Sequence, residues 1–128
     1  LGLMKDERFA ALFGPGGRAE APVVGRLQRP DGEFIVINGR VDRLVIAPRE
    51  VLIVDYKTDR PAPHDAADVG VAYLAQMAAY RSVLGALYPD RPVRCLLAWT
   101  DGPKLMELPA AALDAALQQA LAAAAPEG

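Results

Sequence analysis

Apolar and polar residues alternate along "EAPVVGRLQ" (Glu20–Gln28), as they do in a strand with one buried face. "RPDGE" follows, with Asp31-Gly32 at its centre, and predicts a hairpin turn. "FIVINGRVDRLVIA" then reads as one long strand with a bend expected at Gly39. "PRE" turns, and "VLIVDYKT" (Val51–Thr58) is apolar enough to be a central strand. "DRPAPHDAADVG" is a polar, proline-bearing loop. In "VAYLAQMAAYRSVLGALY" the period changes to that of a helix, with Leu74, Met77, Val83, Leu84 and Leu87 as expected core positions. "RPVRCLLAWT" and "KLMELP" are strands separated by a turn at "DGP". The tail "AALDAALQQALAAAA" is an alanine-rich helix with Leu113, Leu117 and Leu121 on one face. At the other end, "DERFAALF" reads as the tail of a helix closed by "GPGG". That glycine run is a turn and not a phosphate cradle, because no Gly-Lys-Ser/Thr follows. The predicted order is helix, three strands, helix, two strands, helix: an α/β fold with a mixed β-sheet flanked by helices.

Composition narrows the class. The chain has 128 residues, 52% of them apolar and 23% charged, which suits one globular domain with a modest core. No apolar run approaches the ~18–20 residues of a membrane span. "LGLMKDERFA" has no basic region followed by an apolar stretch, so it does not read as a signal peptide. Net charge is −2, which argues against a free-standing nucleic-acid binder but not against an enzyme that meets phosphate through metal ions. The one cysteine, Cys95 in "VRCLLAW", reads as a small buried hydrophobe, in keeping with a cytoplasmic setting.

The chemistry lies where "VLIV" runs into "DYK". A tight turn at Pro48-Arg49 places Ala47 opposite Glu50, Asp42 opposite Asp55 and Arg40 opposite Lys57. Asp55 and Lys57 share a face by alternation. A three-residue turn is the alternative, and a one-residue slip breaks the constellation. Directly opposed carboxylates repel, by an energy of order 3 kcal/mol at about 5 Å and an effective dielectric near 20. Either a salt-bridge cluster with Arg40 and Lys57 offsets that repulsion, or a divalent cation does. Mg²⁺ suits one or two carboxylates plus water and phosphate.

"GRVDRL", "VLIVDYKT" and "YLAQMAAYR", in that order, resemble the PD-(D/E)xK nuclease superfamily, in particular its RecB-like branch. "FAALFGPGGRAEAPVVG" and "YPDRPVRCLLAWTDGPKLMELP" are similar to the C-terminal nuclease domain of AddA-type subunits of the AddAB helicase–nuclease. The resemblance implies a restriction-endonuclease-like core and a Mg²⁺-dependent deoxyribonuclease, with Mn²⁺ as a substitute ion. It implies that Asp42, Asp55 and the backbone carbonyl of Tyr56 bind the metal, and that Lys57 positions the attacking water and stabilises charge on the phosphate. Gln76 and Tyr80, one helical turn apart, match its Gln-x-x-x-Tyr and would border the site and the DNA. The implied partners are a single DNA strand from an unwound duplex, a helicase domain in the same chain and an AddB-type subunit.

One departure stands out. The family also uses a His on a helix upstream of the first strand, and nothing before Phe9 here is a His. The expectation is therefore an N-terminally truncated nuclease domain over 1–128, which folds but cuts DNA poorly by itself. His64, the one histidine, falls in the loop after the third strand and reads as a solvated residue. Glu20 reads as a solvated or salt-bridged strand end in preference to a residue leaning towards the metal, and Arg43 as a structural ion-pair partner. Tyr73 reads as a half-buried helix tyrosine in preference to a base-stacking platform, and Trp99 as core. Two rival functions stand beside the repair nuclease: a retired nuclease fold that docks subunits or DNA, and a stand-alone nuclease of the same superfamily. Intact Asp42, Asp55 and Lys57 speak against the first rival.

Overall fold

The computed structural model describes residues 17–57, 70–99 and 104–123. They form β1 (Gly17–Gln28), β2 (Phe34–Ile46), β3 (Val51–Lys57), α1 (Val71–Leu87), β4 (Val93–Trp99), β5 (Lys104–Leu108) and α2 (Ala110–Ala123). The helix expected at Asp6–Phe13, the loop with His64 and the turn at 101–103 lie outside the described residues. The strands form one sheet in the order β1-β2-β3-β4-β5. Only β3 and β4 run parallel. A parallel neighbour needs a crossover, and α1 lies within it.

Each element follows from its residues. β1 and β2 are joined through a turn in which Gly32 N–H donates to the Arg29 carbonyl at 2.9 Å. β3 carries apolar side chains on both faces because both are covered: Val51 and Ile53 face α1, while Leu52 and Val54 belong to a second cluster on the other face. Ile53 and Leu96, on neighbouring central strands, are fully buried. Burial of such side chains is worth roughly 1.5–3 kcal/mol each. On α1, Leu74, Met77, Val83 and Leu84 are buried as expected, but Leu87 is exposed. The buried stripe runs on from Leu84 to Tyr88 instead, a four-residue step.

Two glycines set how α1 lies on the sheet. A Cβ on Gly39 would sit 2.1 Å from the Tyr80 hydroxyl, and one on Gly25 would sit 2.7 Å from Val83 Cγ1. Side chains of α1 thus rest directly on the backbone of β1 and β2. Gly39 stays in the ladder opposite Val23. Its bareness makes room for Tyr80.

The irregularity lies three residues later. Ile37 and Val41 of β2 pack with the α1-side core, and so does Leu44, while Val45 belongs to the opposite face. The alternation therefore slips by one between Val41 and Leu44. The β1–β2 ladder omits Asp42 and Glu20, which sit opposite each other, yet keeps its register on both sides. Glu20 has φ 51°, in the left-handed region that a non-glycine residue enters at a cost of about 1 kcal/mol or more.

The far end of the sheet is tied by charge. Arg94 of β4 forks onto Glu107 of β5 at 2.8 and 2.5 Å and reaches Glu50 of the β2–β3 turn at 2.8 Å. These bonds, with Glu107 the largest influence, push its pKa further up and keep it charged. Arg81 joins α1 to α2 through Asp114 at 2.8 Å.

Candidate active site

The β2–β3 ladder has the register expected from a tight turn. Ile46 faces Val51, Leu44 faces Ile53 and Arg43 faces Val54. The ladder ends there. Asp42 does not pair with Asp55 through the backbone; its Oδ2 accepts the Tyr56 N–H at 2.8 Å. A carboxylate thus takes the place of a main-chain carbonyl where the two strands part. The same parting removes the expected pairing of Arg40 with Lys57. Arg40 sits opposite Pro22 on β1, exposed.

Asp55 lies one residue before the peptide that Asp42 binds, on the α1 side of the sheet. Its Oδ2 accepts a short hydrogen bond from the Tyr73 hydroxyl in the first turn of α1. Asp42 and Asp55 both act electrostatically on Tyr73. Burial first, then the bond to Asp55 and the two negative charges, push the Tyr73 pKa far above the ordinary tyrosine value. The phenol stays protonated and remains a donor. Tyr56 is raised as well, by burial above all, with Arg43 lowering it and Asp42 raising it.

The structure brings Asp42, Asp55 and the Tyr56 backbone to one end of the sheet. Lys57 closes β3 opposite Trp99 in the parallel ladder; its side chain lies outside what is described. Gln76 is exposed and donates to the Tyr80 hydroxyl at 3.1 Å. Tyr80 itself is 7% exposed, so the pair presents Gln76 at the surface and sets Tyr80 over Gly39. Glu20 is exposed. Trp99 is buried, as expected, with no hydrogen-bond partner at Nε1 among the described residues. Cys95 is fully buried; its thiol donates to the Met77 carbonyl at 3.7 Å, and burial pushes its pKa up to about 12.

Tyr73 is the residue whose part at the site the sequence left unseen. Its signal was present but weak: it precedes Gln76 by one helical turn, on the stripe that continues through Met77 and Tyr80.

Among the described residues, no three or more His, Cys, Asp or Glu side chains gather to hold a metal. The donors that do meet are two carboxylates beside a strand peptide. Such hard oxygen ligands fit a Mg²⁺-like ion, which keeps several waters, and do not fit the nitrogen and sulfur sets of zinc.

A mixed sheet with helices on it, and carboxylates where its central strands part, define a restriction-endonuclease-like α/β core. The chain belongs to the PD-(D/E)XK nuclease superfamily, whose family model matches residues 5–127. Nucleases of this superfamily typically use divalent metals. The fold is also similar to that of SSO0001, a solved structure, with a TM-score of 0.51 and 14% sequence identity. That match covers 92% of this chain and 56% of the other, so the chain spans little more than half of that protein. No curated protein matches the chain. No helix among the described residues is long and apolar enough to cross a membrane.

Proposed function

We propose that the chain is the Mg²⁺-dependent deoxyribonuclease domain of a larger, cytoplasmic helicase–nuclease of double-strand-break repair, of the AddA type and RecB-like branch. The observation that carries this reading is the opening between β2 and β3, where Asp42 binds the Tyr56 peptide beside Asp55. In a strand, the N–H and C=O of one residue point to the same side. Tyr56 turns its N–H to Asp42, so its carbonyl is directed to that same gap. Asp42, Asp55 and the Tyr56 carbonyl would hold the ion. Mg²⁺, or Mn²⁺ in its place, would supply an activated water and neutralise charge on the phosphate. Lys57, two residues beyond Asp55 in the sequence, would set a fixed cation beside the charge that develops during hydrolysis. Gln76, presented by Tyr80, would border the DNA strand.

The wider setting rests on the resemblance of the three motifs. A helicase domain in the same chain would deliver single-stranded DNA, and an AddB-type subunit would stand beside it. Delivery of that kind suits a domain whose own charge is −2 and attracts DNA weakly.

Thermal melting with and without Mg²⁺ tests the metal site, since an ion that binds only the folded state raises the midpoint. Asp55→Asn is expected to abolish the rise. An equal rise in wild type and variant would remove Asp55 from the site.

A further inference from the structure

We infer that Tyr73 is a positioning residue of the nuclease site: its hydroxyl fixes the Asp55 carboxylate in the orientation that receives the divalent ion. The inference rests on the nuclease reading above and adds to it a residue from a different element.

Three observations support it. The Tyr73 hydroxyl donates to Asp55 Oδ2, and the tyrosine is half-buried against the core, so the donor is held in place. An ionised carboxylate has about four lone-pair sites on two oxygens. A neutral donor on one oxygen fixes the rotation of the group and leaves its charge intact for a cation. The helix that carries Tyr73 is itself fixed. Met77 and Tyr80 continue its stripe, Tyr80 lies on the bare backbone of Gly39, and Val83 lies on Gly25. The orientation of Asp55 on β3 is thereby tied to the seating of α1 on β1 and β2. Asp42 is oriented in the complementary way, from the strand side, by the Tyr56 N–H. Each carboxylate thus has a donor that is not a metal ligand. Such outer partners of metal-binding carboxylates typically change affinity or activity by about 10–100-fold when removed.

The test is Tyr73→Phe in the full-length protein, which deletes the hydroxyl and keeps the ring. Mn²⁺ binding is measured by calorimetric titration, and single-strand cleavage is followed as a function of Mg²⁺ concentration. The variant is expected to melt near the wild-type midpoint without metal and to bind Mn²⁺ about 10-fold more weakly. It should need correspondingly more Mg²⁺ for half-maximal cleavage, and excess Mg²⁺ should restore most of the rate. Tyr73→Met, a second variant without the hydroxyl, carries the test if the phenylalanine variant does not fold. Arg94→Met, which loosens the other end of the sheet and touches neither α1 nor the two carboxylates, should lower the midpoint and leave Mn²⁺ affinity unchanged. That separates positioning from mere stability. Affinity within twofold of wild type in a folded Tyr73 variant would overturn the inference while leaving the metal site standing, provided Asp55→Asn loses binding. Failure of wild type to bind metal at all would overturn both.

Discussion

At the scale of single residues, charge and burial make opposite demands, and Cys95 and Asp55 meet them differently. Cys95 is sealed among Met77 and its neighbours, and burial raises its pKa from 9.0 to about 12. The sign of the linkage follows. Below pH 9 the thiol is neutral in both states and has no effect on stability. Between pH 9 and about 12 the unfolded chain loses the proton first, so stability falls by up to about 1.4 kcal/mol per pH unit from this group. Cys95→Ala is expected to remove that part of the alkaline slope in urea titrations at pH 8 to 10.5. A slope identical in both proteins would contradict the assigned burial effect. Asp55, half-buried, instead accepts a hydrogen bond from the Tyr73 hydroxyl. Lys57→Ala is expected to leave metal binding within about twofold and to lower cleavage by at least ~100-fold, because a lysine acts on charge in the transition state and is no metal ligand. Weak metal binding with normal cleavage would reverse those roles. That Asp42 and Asp55 come to one end of the sheet was legible in sequence because charges interrupt strands that are otherwise apolar. Tyr73 was not. Linear spacing tells that it lies on a helix face, but not which strand end the first turn of α1 reaches.

Among elements, the seating of α1 governs both packing and site. Gly39→Ala forces its Cβ into Tyr80, and overpacking of that kind costs about 1–3 kcal/mol. Tyr80→Leu, which withdraws the ring atoms, should recover part of that loss in the double variant; strictly additive losses would show that the two do not meet. At the other end, Arg94→Met breaks the fork to Glu107 and the bond to Glu50. The network is partly exposed, so a loss of only about 1 kcal/mol is expected in urea unfolding at low salt, shrinking as salt is added. The order of elements along the chain and the mixed sheet were readable because period-2 and period-3.6 patterns are local, and the turn register because the turn is short. The change of face at Asp42 was not, since it leaves the pairing register as it was and alters only which side the residues face. A glycine in mid-strand suggested a bend at Gly39, yet there the missing side chain serves a tyrosine from a helix more than thirty residues later.

For the whole molecule, the sheet does two tasks. Its centre is apolar on both faces and holds the fold together. At one end β2 and β3 part, and two carboxylates occupy the opening, each oriented by a donor from a different element. Repulsion between them is an electrostatic cost that a divalent cation would offset. The decisive measurement is hydrolysis of end-labelled single-stranded DNA by the full-length protein in Mg²⁺, with Asp55→Asn and a chelator as controls. Wild type should cut. The variant should lose at least about 100-fold in rate while keeping its fold, since replacing a metal-binding charge removes both ion and activated water. The chelator should abolish cutting, and added Mg²⁺ should restore it. Robust cleavage that survives either Asp55→Asn or the chelator would contradict the account.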